Sequence, residues 1–566
     1  MKFIFVTGGV ISGLGKGITA ASMGFLLKNA GYKVTAVKID PYVSIDAGTM
    51  RPQEHGEVFV TCDGGEIDQD LGNYERFLGE DFTKDHNITT GKVYQQVIDN
   101  ERHFVYGGRD AEIIPDVIDE IKKRIYKVGK GYDFVMVEVG GTVGDIENMP
   151  FLIAAREIGR EYKSAYMMVT YVPFLRNVGE MKTKPTQHAV MLLRQVGINP
   201  DFIITRAEEA VDEPRLDNIS KRCFLDRERI FDVPDLDSPY RVPQVLMEQG
   251  LINSLFKFFR TKPKDKSDEL YKRWQKFVNC GLDAGVEEVK IALVGKYVKH
   301  GNHDHWDTYK SLLDAVRHAC GPAKVSVKLD MVSSESLNEK NYKEKLKKFK
   351  GIIVPQGWGS RGAEGKILAI RWARENKIPY LGLCYGMQMA VIEVARDVLK
   401  FKGANSEEVD GKTKYPVIHI MPSQLKYLKK KQYGGTIRLG SWPCVMKKGS
   451  QLEKAYEKYG KGEGAWNVVV DPRLRGDDRT GQTHRPAHTV WERHRHRFEF
   501  NNKFRKDLEG AGLVVSGTSP DGLLVEAVEI KNHPFFVGVQ FHPEYSSRPL
   551  TPHPLFIGFL KAAKKV

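Results

Sequence analysis

Apolar and polar positions along the chain form blocks that predict strands alternating with helices. Short apolar runs, typical of buried strands, occur at residues 3–6, 34–40, 134–141, 166–172 and 202–205. Apolar residues at helical spacing follow the first of these runs. This alternation is typical of a doubly wound parallel sheet. Because ligands bind at the carboxyl ends of the strands in such sheets, we expect Lys38, Asp40 and Glu138 to share one site.

The same alternation begins again after a charged stretch. Residues 266–287 are rich in lysine and aspartate and predict a linker. New strand-like runs follow at residues 289–296, 325–329, 351–355 and 380–383. We therefore predict two doubly wound, mainly parallel α/β domains, at residues 1–265 and 288–566. The stretch 448–490 is largely polar and predicts a mobile surface insertion in the second domain.

A glycine-rich loop, residues 7–17, joins the first predicted strand to the first predicted helix. Glycines let backbone N–H groups close around phosphate oxygens, and a helix N-terminus favours an anion. Lys16 adds a mobile positive charge. The loop departs from the P-loop pattern because Gly17 stands where a serine or threonine is expected. It indicates a phosphate site, with a plain glycine-rich turn as the alternative.

A cysteine lies at the junction of a later strand and helix. Cys384 has glycines two residues away on either side, which is the nucleophile-elbow pattern with cysteine in place of serine. The following helix N-terminus favours the thiolate, and the Tyr385 N–H points to where an oxyanion would form. His542, at the end of a strand, and Glu544 supply the base and the orienting carboxylate that such a nucleophile needs. The alternative is a buried structural cysteine.

Composition narrows the classes of protein and of partner. A chain of 566 residues suggests two to four domains. No apolar run approaches the roughly 20 residues needed to span a bilayer, and the N-terminus lacks a signal-peptide pattern, so we expect a cytoplasmic protein without a membrane partner. The net charge is +14, but the lysines are spread out, so anionic small substrates are expected rather than nucleic acid. The six cysteines form no Cys-x-x-Cys pair, which argues against a zinc site or a disulfide framework.

Two motifs in the second half resemble the class I glutamine amidotransferase family. They are Gly-Leu-Cys-Tyr-Gly-Met-Gln at residues 382–388 and Phe-His-Pro-Glu at residues 541–544. The resemblance implies that Cys384 forms a glutamyl thioester, that His542 shuttles protons and that Glu544 holds His542. The glutamine-binding residues that it implies are Gly357, Tyr385, Gly386, Met387, Gln388, Glu408 and Arg497. Gln356 departs from the usual Pro-Gly-Gly of the oxyanion loop.

Further blocks, covering nearly the whole chain, resemble the CTP synthase family. They lie at residues 6–17, 38–42, 46–50, 55–60, 70–77, 182–187, 434–440 and 492–497. The resemblance implies a ligase that phosphorylates O4 of UTP with ATP and displaces the phosphate with ammonia taken from glutamine. This reaction gives CTP and is the last step of its de novo synthesis. The resemblance also implies Mg²⁺, activation by GTP near residues 434–440, inhibition by CTP at the UTP site, and a homotetramer that can form filaments.

The same resemblance assigns residues in the first half. Lys16 and Lys38 are expected to serve phosphoryl transfer, which needs cations around the developing charge. Asp70 and Glu138 are expected to hold Mg²⁺. The expected ATP-binding residues are Gly13, Leu14, Gly15, Lys16, Gly17, Ile18, Asp70 and Asp235. The expected UTP- and CTP-binding residues are Ser12, Asp145, Ile146, Glu147, Lys182, Thr183, Lys184, Pro185, Thr186, Gln187 and Lys221. His55 and Val58 are expected to line an ammonia tunnel.

Two other functions stay open at this point. One is another ATP-dependent glutamine amidoligase, such as a cobyrinate-type amidase, and the other is a non-catalytic homologue that forms filaments. The block at residues 182–187 argues against the first, and the complete triad argues against the second. His300, His303 and His305 are predicted in a loop and match no metal-ligand spacing.

Overall fold

The computed structural model describes residues 1–51, 56–280, 286–296, 299–300, 303–304, 306–424, 427, 435–460 and 488–566. The chain forms two compact units. The first contains residues 1–47 and 70–278, and the second contains residues 48–69 and 279–566. His55 and most of the predicted insertion lie outside the described residues. Within the described ranges, none of the helices has both the length and the apolar character needed to span a bilayer.

The strands include those that the short apolar runs predict, with additional strands between and after them. In chain order they are β1 (Lys2–Gly8), β2 (Val34–Asp40), β3 (Val58–Val60), β4 (Glu66–Asp68), β5 (Asn87–Thr89), β6 (Phe134–Val139), β7 (Ser164–Tyr171), β8 (Phe174–Leu175), β9 (Glu180–Met181), β10 (Phe202–Ala207), β11 (Ile230–Pro234), β12 (Glu288–Gly295), β13 (Lys299–His300), β14 (His303–Asp304), β15 (Ser326–Ser333), β16 (Gly351–Val354), β17 (Tyr380–Leu383), β18 (Asn405–Ser406), β19 (Pro416–Ile420), β20 (Arg438–Met446), β21 (Thr489–His496), β22 (Phe498–Phe500), β23 (Leu513–Thr518), β24 (Val525–Ile530) and β25 (Phe536–Val539).

The α-helices alternate with these strands. In chain order they are α1 (Lys16–Asn29), α2 (Asp70–Leu78), α3 (Thr90–Arg102), α4 (Ile118–Gly129), α5 (Met149–Glu161), α6 (Lys184–Gln195), α7 (Glu213–Cys223), α8 (Val242–Glu248), α9 (Leu251–Phe259), α10 (Glu269–Asn279), α11 (Lys310–Ala323), α12 (Tyr342–Leu346), α13 (Ala363–Glu375), α14 (Tyr385–Asp397), α15 (Gln451–Tyr459), α16 (Arg505–Gly510) and α17 (Pro554–Ala563).

The first unit is built on a seven-stranded sheet of order β11-β10-β7-β1-β6-β2-β5. All of its pairings are parallel. On one face, Phe3 and Phe5 of β1 pack with Ile121 of α4 and Phe151 of α5 in one apolar cluster. The predicted doubly wound α/β class is confirmed, and the parallel order brings the carboxyl ends of β7, β1, β6 and β2 to one edge.

A helix from the predicted linker packs on the first unit. Trp274 of α10 is buried, and its ring centroid lies 4.3 Å from that of Phe25 in α1 and 5.0 Å from that of Phe77 in α2. The Trp274 indole N–H donates to the Tyr240 carbonyl at 2.8 Å. The amphipathic part of the predicted linker therefore forms a helix, and residues 269–278 of that helix belong to the first unit.

The second unit is built on a nine-stranded sheet of order β15-β12-β16-β17-β25-β24-β23-β20-β21. The pairings from β15 to β25 are parallel, and those from β25 to β21 are antiparallel. Successive residues of β12 enter apolar clusters on opposite faces, as Ile291 and Ala292 do. The parallel half carries the elements that frame Cys384, while the antiparallel half extends the sheet to β21.

One loop prediction is corrected. His300 and His303 belong to β13 and β14, which pair in antiparallel register with these two residues opposite each other. His305 lies outside the described residues. The pattern gives no signal for this pairing because each strand is only two residues long.

Candidate active sites

A cluster of charged residues lies at the carboxyl edge of the first sheet. Lys38 of β2 stands opposite Glu138 of β6 in the parallel register. Its Nζ lies 3.1 Å from Glu138 Oε1 and 3.7 Å from Asp40 Oδ1, and it also contacts Asp70 Oδ2. The three residues predicted to share a site are therefore together, and Asp70 joins them from the first turn of α2.

Burial and charge act against each other in this cluster. Burial raises the pKa of Asp40, although the Lys38 ammonium acts in the opposite direction. At half-buried Asp70, burial also opposes ionisation, but the charge and hydrogen bond of Lys38 outweigh it and lower the pKa. The Tyr74 hydroxyl donates to Glu138 Oε2, and burial together with that carboxylate holds the pKa of Tyr74 well above its ordinary value. Tyr74 therefore stays a donor.

Lys16 approaches the same edge from the start of α1. It is only 7% exposed, and its Nζ donates to the Gly141 carbonyl at 2.9 Å. Gly8 makes room for it, since a Cβ at Gly8 would lie 2.7 Å from Lys16 Nζ. Burial lowers the pKa of Lys16, while the Glu138 carboxylate acts in the opposite direction. The lysine is thus held beside the end of β6 by backbone contacts.

Gly17, the departure from the P-loop pattern, faces two carboxylates. A Cβ at Gly17 would lie 3.2 Å from Glu138 Oε2 and 3.4 Å from Asp70 Oδ1. A serine or threonine side chain would crowd these oxygens, so glycine fits this position. Carboxylate oxygens are the protein ligands that Mg²⁺ prefers, and one or two of them suffice when phosphates complete the shell. The donor set of Asp70 and Glu138 therefore fits a Mg²⁺ ion.

The glycine-rich loop borders a small pocket. Gly13 and Gly15 have φ values of +77° and +83°, which glycine adopts without strain. The pocket has a volume of about 150 Å³ and is lined by Gly15, Ile18, Thr19, Arg206, Val233, Leu236, Pro239 and Val242. Arg206 Nη2 lies 3.0 Å from Asp235 Oδ1. Asp235, the predicted ATP contact, therefore reaches this pocket through Arg206, a residue that sequence reasoning missed although it stands near the end of β10.

The residues predicted to bind the pyrimidine nucleotide lie in two groups, of which the first is Ser12 and residues 145–147. Asp145 accepts from the Thr142 N–H at 2.6 Å and from the Thr142 hydroxyl at 3.0 Å, so its carboxylate fixes its own loop. Ile146 is 85% exposed beside it, and Ser12 and Glu147 are also exposed.

The segment 182–187 lies at the start of α6 and is linked to α7. Lys182 Nζ lies 2.7 Å from Glu180 Oε2. Gln187 Nε2 donates to Thr183 Oγ1 at 3.1 Å and to Asn218 Oδ1 at 3.3 Å. Asn218 and the predicted Lys221 share α7, so Asn218 ties the helix of Lys221 to this segment. Lys184 and Lys221 are exposed, Pro185 is half-buried, and Thr186 is buried.

In the second unit, Cys384 has the geometry of a nucleophile elbow. It lies between β17 and α14 with φ +48° and ψ −97°, a backbone conformation that costs on the order of 1–3 kcal/mol in a residue other than glycine. Its N–H donates to the Val539 carbonyl at 2.7 Å. A Cβ at Gly386 would lie 2.1 Å from the Val354 carbonyl, so only glycine fits there. Gln540 Nε2 approaches the Cys384 sulfur at 3.5 Å.

His542 and Glu544 form a buried pair beside the elbow. His542 Nδ1 lies 2.8 Å from Glu544 Oε1, and the imidazole also interacts with the side chain of Cys384. Burial lowers the pKa of His542, but the Glu544 carboxylate and the neighbouring Cys384 outweigh it and raise the pKa to about 10. His542 Nε2 is therefore the nitrogen available for proton exchange with the sulfur and its substrate.

Three of the predicted glutamine-binding residues have polar contacts near the loop at residues 357–359 or at Thr436. Glu408 Oε1 accepts from the Gly359 N–H at 2.9 Å, and burial raises the pKa of Glu408 while that N–H opposes the rise. The Tyr385 hydroxyl donates to the Gly359 carbonyl at 2.6 Å. Arg497 Nη2 donates to Thr436 Oγ1 at 3.0 Å, and its charge also opposes the rise in the pKa of Glu408 that burial causes.

Other members of this set support the elbow from α14. Met387 is buried, and Gln388 Nε2 donates to the Phe498 carbonyl at 2.9 Å and to Gln540 Oε1 at 3.3 Å. Gln540, which also contacts the sulfur, was missed by sequence reasoning. A strand-end glutamine gives only a weak signal for such a role.

Two buried lysines flank the ring of Tyr385 and were also missed. Lys296 Nζ and Lys366 Nζ lie 5.3 and 4.9 Å from the ring centroid, and Lys366 donates to the Pro355 carbonyl at 2.9 Å. A Cβ at Gly357 would lie 3.1 Å from Lys296 Cε and 3.4 Å from Lys366 Nζ. Burial lowers the pKa of Lys366 well below its ordinary value and that of Lys296 to about 8. The two amines therefore lie beside Gly357 of the predicted oxyanion loop.

The antiparallel pair β3–β4, which we call the 58–68 hairpin, is part of this unit. Val58, the predicted tunnel residue, is buried, and its carbonyl accepts from the Tyr545 hydroxyl at 3.0 Å. Arg495 Nε donates to Glu66 Oε1 at 2.9 Å, and the Gly435 N–H donates to Glu66 Oε2 at 3.2 Å. The hairpin thus contacts both β21 and the described end of the predicted GTP segment. Gly434 lies outside the described residues.

Gln356, the departure in the oxyanion loop, has a partner next to the hairpin. Its Nε2 donates to Glu57 Oε1 at 3.1 Å, and Glu57 Oε2 accepts from the Ser311 N–H at 2.7 Å. The amide that replaces the usual glycine therefore fixes the segment 48–69 to the oxyanion loop.

Comparison with known proteins covers both units. A model of the CTP synthase N-terminus matches residues 2–261, and a model of class I glutamine amidotransferases matches residues 305–562. The chain is 47% identical to a CTP synthase of Clostridium kluyveri over 99% of this chain and 98% of that protein. It is 48% identical to a CTP synthase of Pyrococcus abyssi over 100% and 98%. It is also similar to the solved glutaminase domain of Trypanosoma brucei CTPS with bound acivicin, at 35% identity, 49% and 94% coverage and a TM-score of 0.41.

The fold and the two sites define a carbon–nitrogen ligase with a synthetase half and a class I glutaminase half. The chain belongs to the CTP synthase family. It catalyses the glutamine-dependent synthesis of CTP from UTP with ATP. Of the three functions considered from the sequence, this assignment supports CTP synthesis. It argues against a cobyrinate-type amidation and against a non-catalytic role.

Proposed function

We propose that the charged cluster of the first sheet activates UTP and that Cys384, His542 and Glu544 supply the ammonia. The main support for this proposal is that Lys38 forms ion pairs with Asp40, Asp70 and Glu138. These residues lie beside the glycine-rich loop. The synthetase half would be residues 1–265, and the glutaminase half residues 288–566.

In the synthetase half, cations and backbone N–H groups meet the phosphates. The loop at 13–18 binds the ATP phosphates, and Lys16 and Lys38 offset the negative charge of the transferring phosphoryl group. Asp70 and Glu138 would hold Mg²⁺, which neutralises phosphate charge when bound. Arg206 and Asp235 lie by the pocket proposed for the ATP base. The proposed UTP- and CTP-binding residues are Ser12, Asp145, Ile146, Glu147, Lys182, Thr183, Lys184, Pro185, Thr186, Gln187 and Lys221.

In the glutaminase half, the Cys384 thiolate attacks the carboxamide carbon of glutamine. Tyr385 N–H and the loop at Gly357 stabilise the oxyanion, and protonated His542 gives its proton to the departing ammonia. Water activated by His542 then hydrolyses the thioester and releases glutamate. Glu408 and Arg497 would bind the α-amino and α-carboxylate groups of glutamine, since each carries the complementary charge. Val58 would line the path by which ammonia leaves.

The regulatory and assembly properties belong to the same proposal. GTP would activate the enzyme near residues 434–440, where the Gly435 N–H contacts Glu66 of the hairpin. CTP would inhibit by competing for the UTP site. The enzyme would be a cytoplasmic homotetramer that can form filaments, as the family resemblance implies.

The overall reaction is tested by mixing UTP, ATP, Mg²⁺ and glutamine and following CTP by absorbance. We expect CTP and glutamate to form together. Glutamate without CTP would indicate a different acceptor for the ammonia.

Glu138→Gln should weaken the use of Mg²⁺. The amide keeps the size and the contact with Tyr74 but removes a carboxylate from the proposed metal site, so the Mg²⁺ concentration for half-maximal CTP synthesis should rise roughly 10-fold or more. The measurement is a Mg²⁺ titration with ammonia as nitrogen source, with Mn²⁺ binding followed by electron paramagnetic resonance. Glu80→Gln, on a half-buried ion pair with Lys28, is the matched control. An unchanged titration would remove Glu138 from the metal site.

Glu544→Gln should slow glutamine hydrolysis by about 10³- to 10⁴-fold, because the neutral amide no longer orients and stabilises protonated His542. Ammonia-dependent synthesis should persist.

The pKa of His542, about 10, lies above the ordinary value of 6.5. Its contribution to stability is therefore complete below about pH 6.5 and is lost as the pH rises through about 10. In Glu544→Gln this loss should be smaller, as measured by urea unfolding at about pH 7 and about pH 10. An equal loss in both proteins would contradict the assignment.

A further inference from the structure

Tyr545 lies against the ring of His542. The two ring centroids are 4.9 Å apart and the planes differ by 8°, so the rings are stacked. Both side chains are buried, at 3% and 1% exposure. Glu544 Oε1 holds one edge of the His542 ring, at Nδ1. The Tyr545 ring supplies the second constraint, because a parallel neighbour limits the tilt of the imidazole.

The other end of Tyr545 is held by the 58–68 hairpin. Its hydroxyl donates to the Val58 carbonyl at 3.0 Å, and its ring meets that of Phe59 edge-on, with centroids 5.2 Å apart. Burial and the nearby Glu57 and Glu544 carboxylates keep the pKa of Tyr545 well above its ordinary value, so the hydroxyl remains a donor. A single side chain therefore spans the distance between β3 and the proposed proton-transfer residue.

Arg493 makes a second connection between the same two parts. Its carbonyl accepts from the His542 N–H at 2.7 Å, and its Nη1 donates to the Val60 carbonyl at 3.0 Å. Its guanidinium lies 5.3 Å from the Phe59 ring centroid. The backbone of His542, through Arg493, and its ring, through Tyr545, are thus both linked to the same strand, at Val60 and Val58.

We propose that Tyr545 is a positioning residue of the glutaminase site. Its ring holds the plane of the His542 imidazole, and its hydroxyl links that plane to the position of β3. The proposal rests on the proposed roles of His542 in hydrolysis and of Val58 on the ammonia path. It adds to them that glutamine hydrolysis and the ammonia path share a mechanical link, so that a change in the hairpin alters the rate of hydrolysis.

Two substitutions separate the ring from the hydroxyl. In full-length enzyme, Tyr545→Leu removes the stacking surface, and we expect kcat for glutamine hydrolysis to fall about 10- to 100-fold with KM changed by less than about 3-fold. Tyr545→Phe keeps the ring and should recover kcat to within about 3-fold of wild type. Because it lacks the bond to Val58, however, it should release more than one glutamate for each CTP formed. A purely structural role would not divide kcat from KM in this way.

The same two measurements, the rate of glutamine hydrolysis and the ratio of glutamate to CTP, are applied to the control variants. Tyr459→Leu, on α15, is the matched control and should leave hydrolysis and the product ratio unchanged. Ammonia-dependent CTP synthesis reports that each variant is folded, and Tyr545→Met replaces the leucine variant if that variant loses it. Wild-type kcat in the folded leucine or methionine variant would overturn the positioning role. A ratio of one glutamate per CTP in Tyr545→Phe would overturn the link to β3. Failure of wild type to hydrolyse glutamine would instead refute the proposed function.

Discussion

Cys384→Ala is expected to remove glutamine-dependent CTP synthesis and to leave ammonia-dependent synthesis near the wild-type rate. The thiolate is the only group proposed to attack glutamine, and loss of a catalytic nucleophile reduces turnover by about 10⁴-fold or more. Free ammonia needs no thioester, so the synthetase half should use it directly. The measurement is CTP formation with glutamine or with ammonium chloride as nitrogen source.

Cys280→Ala is the matched control for this experiment, because Cys280 is an exposed cysteine of the same unit. It should retain both activities. Loss of both activities in a folded Cys384→Ala protein would contradict the division of labour between the two halves.

Lys16→Ala is expected to have the opposite pattern. CTP synthesis should fall about 10³-fold with either nitrogen source, because a buried cation beside the transferring phosphoryl group is lost. Glutamine hydrolysis by Cys384 should continue. The measurement compares glutamate release with CTP formation under the same conditions.

Lys130→Ala, at an exposed position of the same unit, is the control for the loss of a lysine charge. It should leave both reactions unchanged. Normal CTP synthesis by Lys16→Ala would remove Lys16 from the phosphoryl-transfer site.

Much of the first site could be predicted because parallel strands end at one edge. Lys38, Asp40 and Glu138 are polar residues at the ends of apolar runs, and such residues meet when the strands are neighbours. The same reasoning locates Cys384 between β17 and α14. The elbow glycines also follow from the sequence, since Gly386 lies where any side chain would strike the Val354 carbonyl.

Other residues gave no usable signal. Lys366 occupies a helix, where a lysine normally lies on a solvated face, but here the tertiary structure buries it against Tyr385. Asn218 gains its role from the packing of α7 on α6, which no local pattern specifies. The antiparallel half of the second sheet was also beyond prediction, because β20 and β21 pair across a long interval of sequence.

The position of residues 48–69 has a consequence for how the chain folds during synthesis. The carbonyl of Val58 has its hydrogen-bond donor in Tyr545, 487 residues further along the chain. The carbonyl of Val60 has its donor in Arg493, 433 residues further along. At about 5–20 residues per second, a ribosome needs on the order of 25–100 s to supply the partner of Val58. During that interval the apolar residues of β3 lack their partners in the second unit, while the first unit already has all its own sequence. The hairpin therefore reaches its final position late, and the apolar residues of β3 stay open to aggregation until residues 493 and 545 have been made.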